Sequence, residues 1–152
     1  MTIEEFKDIT IAYVRRTGEY GFQNKILMEN FKTYLVQNNL LTNDSIILGI
    51  ALDNPANTDT NKLRYDVGIV VNEKQKTELC TRKISNGIYA VFEIPHTEQD
   101  VIAFWNNIHL LVGDLSVDEA KPIIERYSAD KVANHLCEFC VPLKEYAIEK
   151  SL

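Results

Sequence analysis

Two stretches of this chain, Lys62–Val71 (KLRYDVGIVV) and Asn134–Leu143 (NHLCEFCVPL), superimpose without a gap, and Asp66 then falls on Glu138. The apolar phase matches as well: Tyr65, Val67, Ile69 and Val71 lie over Cys137, Phe139, Val141 and Leu143. Residues two apart in a strand share a face, so in each stretch the four apolar side chains point one way and the acid the other. A one-residue slip would exchange the faces, so this alternation constrains the fold more than any other feature.

Each stretch closes a longer unit. In the first, Ile9–Arg15 alternates as a strand, Thr17–Gly21 breaks it with two glycines, and Leu27, Phe31, Tyr34 and Leu35 recur at helical spacing from Gln23 to about Asn38. Asn38 and Asn39 can end that helix, because asparagine tolerates the left-handed turn. Ser45–Leu52 is β-rich, and the loop Asp53–Asn61 leads to Lys62–Val71.

In the second unit, Glu78–Ile84 is a lead-in strand, Ser85-Asn86-Gly87 a tight turn, and Ile88–Ile94 the opening strand. Thr97 caps a helix whose stripe is Val101, Phe104, Trp105, Ile108 and Leu111, and Gly113 stops it. Asp114–Ala120 is expected to add a short helical turn. Lys121–Ser128 and Asn134–Leu143 are expected to pair as the returning strands.

Both units thus read strand–helix–strand–strand. The expectation is one pseudo-symmetric domain over 1–152: repeat 1 at about 9–71, linker 72–77, repeat 2 at about 78–143 and a tail at 144–152. Neither half buries a sheet face alone.

The net charge of −6 works against nucleic-acid binding, which is built on Lys and Arg, and suits cationic or neutral small ligands. No apolar run nears the roughly 20 residues of a bilayer span. The acidic start MTIEEFKDI is unlike a secretory signal, and three cysteines fit a reducing compartment, so a cytoplasmic location is expected. Cys137 and Cys140 spell C-x-x-C, but three residues apart in a strand they face opposite ways. With His96, His109 and His135 scattered, no metal and no cofactor are expected.

Four motifs carry a resemblance to a known family: Ala12–Gly21 (AYVRRTGEYG), Leu63–Asp66 (LRYD), Asn86–Phe92 (NGIYAVF) and Glu138–Leu143 (EFCVPL). In this order and spacing they resemble the GyrI-like small-molecule-binding domain. That group includes gyrase-inhibitor proteins and effector-binding domains of AraC-type and multidrug-sensing regulators. The resemblance runs from about Ile9 to Leu143. It implies an α+β fold with a curved antiparallel sheet, two main helices on one side and a ligand cleft on the concave side. It also implies cleft acids in the last strand and the one before it, which map to Glu138 and Glu125. The second copy departs from the pattern, with Pro95-His96-Thr97-Glu98 where a Gly-Pro-Tyr-like turn is common. The eight residues before Ile9 are too few for a helix-turn-helix, so such a domain is expected to act alone or in trans.

The candidate ligand-binding residues are Glu138, Glu125, Tyr127, Tyr20, Tyr13 and Asp66. Glu138 lies in an apolar strand, which suits a cation ligand or, in an enzyme, the catalytic base; an ordinary solvent-facing acid is the alternative. Asp66 follows Arg64, and a salt bridge within the strand competes with a cleft role. Glu125 can face the same side as Glu138 if their strands pair, or can serve only as a partner for Arg126 or Lys144. Tyr20 and Tyr127 are the favoured cleft aromatics, whereas Phe104 and Trp105 read as packing.

Aromatic walls over an acid bind planar cations. The first functional reading is therefore a stand-alone binder, sensor or sequestering protein for amphipathic, cationic aromatic compounds. The alternatives are a small hydrolase of electrophiles with Glu138 as general base, and a gyrase-inhibitor-type protein-binding module. A homodimer or protein partner is open.

Overall fold

A computed structural model describes residues 1–72 and 77–144. Most of the expected linker 72–77 and tail 144–152 therefore lies outside the described residues. Along the chain come β1 (Thr2–Phe6), β2 (Thr10–Thr17), α1 (Phe22–Gln37), β3 (Ile46–Ala51), a 3-10 turn (Thr60–Lys62), β4 (Arg64–Val71), β5 (Cys80–Lys83), β6 (Gly87–Pro95), α2 (Glu98–Val112), β7 (Ile124–Ser128), α3 (Ala129–Ala133) and β8 (Leu136–Leu143). The strands make one eight-stranded sheet in the order β1-β6-β8-β7-β3-β4-β2-β5, and every described pairing is antiparallel. The fold is α+β, a curled antiparallel sheet with the two long helices on one face.

The order mirrors about the β7–β3 contact, with β6, β8 and β7 answering to β2, β4 and β3. The outermost strands cross over. β1 leads into the first unit but pairs with β6 of the second, while β5 leads into the second and pairs with β2 of the first. The longer strands β6 and β2 are thus covered, and the edges of the sheet are the short strands β1 and β5, one of the ways a sheet limits edge-to-edge pairing.

The helices end where local chemistry directs. The Thr97 hydroxyl accepts the Asp100 N–H at 3.1 Å, and Gly113 takes φ 52° after α2. Asn39 takes φ 54° after α1, and the Leu40 N–H closes onto the Leu35 carbonyl at 2.9 Å. Met28, Phe31 and Leu35 of α1 pack on Ile47, Tyr65, Val67 and Ile69. Phe104 of α2 packs on Phe92, Phe139 and Val141. The opposite face carries no long helix, yet Phe6, Ile11, Leu48, Ile50, Val91, Ile124 and Cys140 bury one another there. Side chains from strands at both ends of the sheet meet in that cluster, which requires the sheet to curl over it.

Two local expectations are corrected. Ser85-Asn86-Gly87 is not a hairpin turn, because β5 and β6 run to opposite ends of the sheet. Asp114–Ala120 forms no helical turn: Val117 bridges to Leu143, and the Asp118 N–H donates to the Pro142 carbonyl at 2.9 Å. The N-terminal strand β1 and the one-turn α3 carry no sequence signal strong enough to have been assigned. No described helix is long and apolar enough to cross a membrane.

Candidate functional site

The sheet separates the candidate acids. As the alternation requires, Asp66 and Glu138 both lie on the face away from α1 and α2. Glu125 does not join them. β7 pairs with β8 so that Arg126 stands opposite Glu138 and Glu125 opposite Phe139, which puts Glu125 on the helix-covered face with Tyr127. The expectation that Glu125 shares a side with Glu138 is thereby corrected.

On the face without helices, both acids are held by arginines. Arg126 binds Glu138 through Nε at 3.0 Å and Nη2 at 2.9 Å, and reaches Glu4 of β1 through Nη1 at 2.7 Å. Both Glu138 oxygens thus already accept an arginine N–H, so a ligand cation there would have to compete with Arg126. Asp66, fully buried, receives Arg15 at 2.6 and 2.9 Å and Arg82 Nε at 3.0 Å. Arg82 Nη2 lies 2.8 Å from the same carboxylate, close enough for an ion pair but poorly aligned for a hydrogen bond. Arg64, the expected partner of Asp66, instead grips Asp53 at 2.8 and 3.0 Å. Tyr13 also lies on this face, and its ring is occupied by the Arg15 and Arg82 guanidinium groups at 5.5 and 5.3 Å.

The other face holds a different arrangement at the centre of the sheet. The Tyr127 hydroxyl donates to Glu125 Oε2 at 2.7 Å, and the Tyr65 hydroxyl approaches the same oxygen at 3.4 Å. Glu125 is crowded by protein atoms yet retains some solvent exposure. Among the described residues no cation pairs with it. Burial raises its pKa above the ordinary carboxyl value of 4.5, against the opposing pull of the two hydroxyls. Burial and then the Glu125 charge push both tyrosines upward, so they remain hydrogen-bond donors.

Gly49 makes this contact possible. It sits beside Glu125 across the β3–β7 pairing, and a Cβ there would collide with the Tyr65 hydroxyl and lie 3.1 Å from Glu125 Oε2. Gly49→Ala is expected to push Tyr65 off the carboxylate and to destabilise the fold by about 1–3 kcal/mol, as overpacking does. A thermal unfolding comparison with wild type checks this.

A cavity of about 740 Å³ opens beside this cluster, between α2, the β3–β4 loop and the segment before β7. It falls in the size range of small-molecule sites. Its wall includes Ile123 and Ala51, one pleat from Glu125 and Gly49. Tyr20 also lines it and packs edge-on against Tyr65 at 6.4 Å. Trp105 completes the wall, packing on Phe139 at 5.5 Å. Tyr20 is fixed by its hydroxyl, which donates to the Arg64 carbonyl at 2.7 Å and accepts the Asp53 N–H at 3.1 Å.

Of the six candidate residues, the structure therefore gathers Glu125, Tyr127 and Tyr20 and sets Glu138, Asp66 and Tyr13 apart. Trp105 does pack, as expected, but it is also 39% exposed and forms part of the cavity wall. Tyr65 looked like one more inward-facing strand residue, and only its reach to Glu125 marks it. Gly49 carried no signal at all, being a lone glycine in a β-rich run. Cys137 and Cys140 fall on opposite faces, and among the described residues no three metal-ligating side chains converge.

Comparison with known proteins agrees with this architecture. Residues 1–144 match the family model of the GyrI-like small molecule binding domain. The chain is 44% identical over 148 residues to the SPbeta prophage-derived candidate transcriptional regulator YosT of Bacillus subtilis (strain 168), covering 95% of this chain and 99% of that one. Among solved structures, SAV2435 bound to tetraphenylphosphonium aligns with a TM-score of 0.64 at 17% identity, over 95% of this chain and 94% of that one. The EcmrR C-terminal domain aligns with a TM-score of 0.67 at 12% identity, over 95% and 96%. At such identities the two structures speak for the fold alone, whereas the family model and the YosT match speak for descent. The chain belongs to the GyrI-like small-molecule-binding domain family.

Proposed function

We propose that this protein binds cationic aromatic small molecules in the cavity on the helix face, with Glu125 as the acid that meets the ligand's charge, and acts as a sensor or sequestering protein. The observation that carries the proposal is Glu125 itself: a crowded carboxylate with no described counter-ion, one oxygen held by tyrosine hydroxyls and the other without a described partner, two residues along the chain from Ile123 in the wall of a cavity that Tyr20 and Trp105 also line. Such a group gains a counter-charge only when a cation arrives, and the rings of Tyr20 and Trp105 in the cavity wall offer the stacking and cation–π surface that planar cations use. The tetraphenylphosphonium held by SAV2435 is a ligand of that chemistry on the same fold. A regulatory setting accords with the candidate role of YosT.

Trp105 is the only tryptophan and lines the cavity, so its emission reports on occupancy. Titration with tetraphenylphosphonium is expected to change that emission saturably, whereas neutral triphenylphosphine oxide, similar in shape, should bind at least tenfold more weakly. Equal affinity for the two would remove the role given to the charge.

The Glu125–Tyr127 pair also supports a second reading. A carboxyl of raised pKa beside a phenol is the equipment for activating water against an electrophile, which would move the base of the hydrolase reading from Glu138 to Glu125. Release of more than one product equivalent per protein from an alkylating aromatic substrate would favour it, and Glu125→Gln should then stop turnover.

A further inference from the structure

We propose that this cleft selects zwitterionic aromatic ligands over simple cations, the ligand's cation meeting Glu125 and an anionic group on the same molecule meeting Lys32. This rests on the assignment of Glu125 as the cation site. The argument begins from Tyr127. Its hydroxyl donates to Glu125 at 2.7 Å, and the Lys32 ammonium, reaching over from α1, stands 5.5 Å from the centre of its ring. One tyrosine thus separates an acid and a base that do not pair with each other.

Lys32 is half-buried, and among the described residues no carboxylate lies within ion-pair distance of it and no acceptor takes its protons. An ammonium held against a ring face with no described carboxylate partner is available to an anion, as the Glu125 carboxylate beyond that ring is to a cation. His96 packs against Tyr127 as well, with ring centres 5.3 Å apart. Partial burial, then the charges of Lys32 and His135, push its pKa below the ordinary value of 6.5. At neutral pH it is an uncharged imidazole, able to donate to an anion without adding charge of its own.

The consequence for specificity follows from Coulomb's law. A ligand carrying only positive charge at Glu125 faces the Lys32 charge across a single ring. At an effective dielectric constant of about 20, that repulsion weakens binding roughly tenfold. A carboxylate on the far side of the same ligand turns the repulsion into attraction and adds a charge-assisted hydrogen bond. The Tyr127 ring, which stands between the two charges, is then the surface that the ligand's spacer crosses.

The test uses a matched pair of probes, biphenyl-4-yl-trimethylammonium and the same molecule bearing a 4′-carboxylate, titrated against Trp105 emission and by calorimetry. Wild type should bind the zwitterion about tenfold or more tighter than the cation. Lys32→Met, which keeps the side-chain length and helix propensity, should erase or invert that preference; Lys32→Arg should retain it. Glu125→Gln should weaken both probes. If both probes bind in a Glu125-dependent way with no preference that Lys32→Met alters, the zwitterion proposal is overturned and the cation site stands. If wild type binds neither probe, or Glu125→Gln changes neither affinity, the Glu125 assignment fails and this proposal with it.

Discussion

Glu125→Gln is expected to weaken cationic ligands by roughly ten- to a hundredfold while raising the melting temperature of the free protein. The loss follows from removing a charged acceptor, whose hydrogen bonds are worth about 1.5–3 kcal/mol against about 1 for neutral ones. The gain follows from linkage. Burial raises the Glu125 pKa in the folded protein above 4.5, so the folded state holds more protons than the unfolded chain between that value and the raised one. Stability contributed by the protonated acid is fully present below pH 4.5 and is lost as pH rises through the folded-state pKa. At neutral pH the ionised carboxylate is a burden that glutamine removes, with about 2–4 °C of melting temperature returned per kcal/mol relieved. The pH dependence provides the internal check, since the melting temperatures of mutant and wild type should converge in acid. Glu138→Gln is the counter-experiment: both its oxygens serve Arg126, so ligand affinity should change little. A Glu125→Gln protein that still binds tetraphenylphosphonium at wild-type affinity would remove Glu125 from the site.

Asp66→Ala should produce the largest stability loss of any single exposed-to-buried charge removal on the opposite face, about 3 kcal/mol. Asp66 is fully buried between Arg15 and Arg82, and removing one member of a buried ion pair costs about 3–5 kcal/mol because charge is left uncompensated. The lower end applies because the arginines, 35% and 26% exposed, can turn toward water. For a domain of this size the loss corresponds to a fall of about 6–12 °C. Glu93→Ala, which removes an exposed partner of Lys131, should change the melting temperature little. Because Asp66 lies across the sheet from the cavity, Asp66→Ala protein that remains folded should bind tetraphenylphosphonium as wild type does. Unaltered melting would mean that the arginines and not the acid organise this cluster.

The two faces thus divide the labour. On one, Arg126 is shared between Glu138 and Glu4, and Asp66 between Arg15 and Arg82, so that acids and bases answer each other. On the other, Glu125 and Lys32 stand near a common tyrosine without pairing, and unanswered charge is what a ligand can use.

Much of this was legible in the chain. Alternation in Arg64–Val71 and Leu136–Leu143 determined that Asp66 and Glu138 oppose the apolar set, because a strand's period of two is a local property. Helical spacing and the caps at Thr97 and Gly113 determined α2, and the four motifs in order pointed to the GyrI-like fold. The misplacement of Glu125 has a different origin. Alternation tells which residues of one strand share a face, but not how that face matches the next strand, since a register one residue different reverses the answer. Tertiary packing decided it: Glu125 meets Phe139 and Arg126 meets Glu138, because Arg126 can satisfy two acids on the face without helices while Tyr127 packs beneath α1 and α2. The same packing alone showed that a lone glycine, Gly49, leaves room for a tyrosine from the next strand to reach the acid at the centre of the sheet.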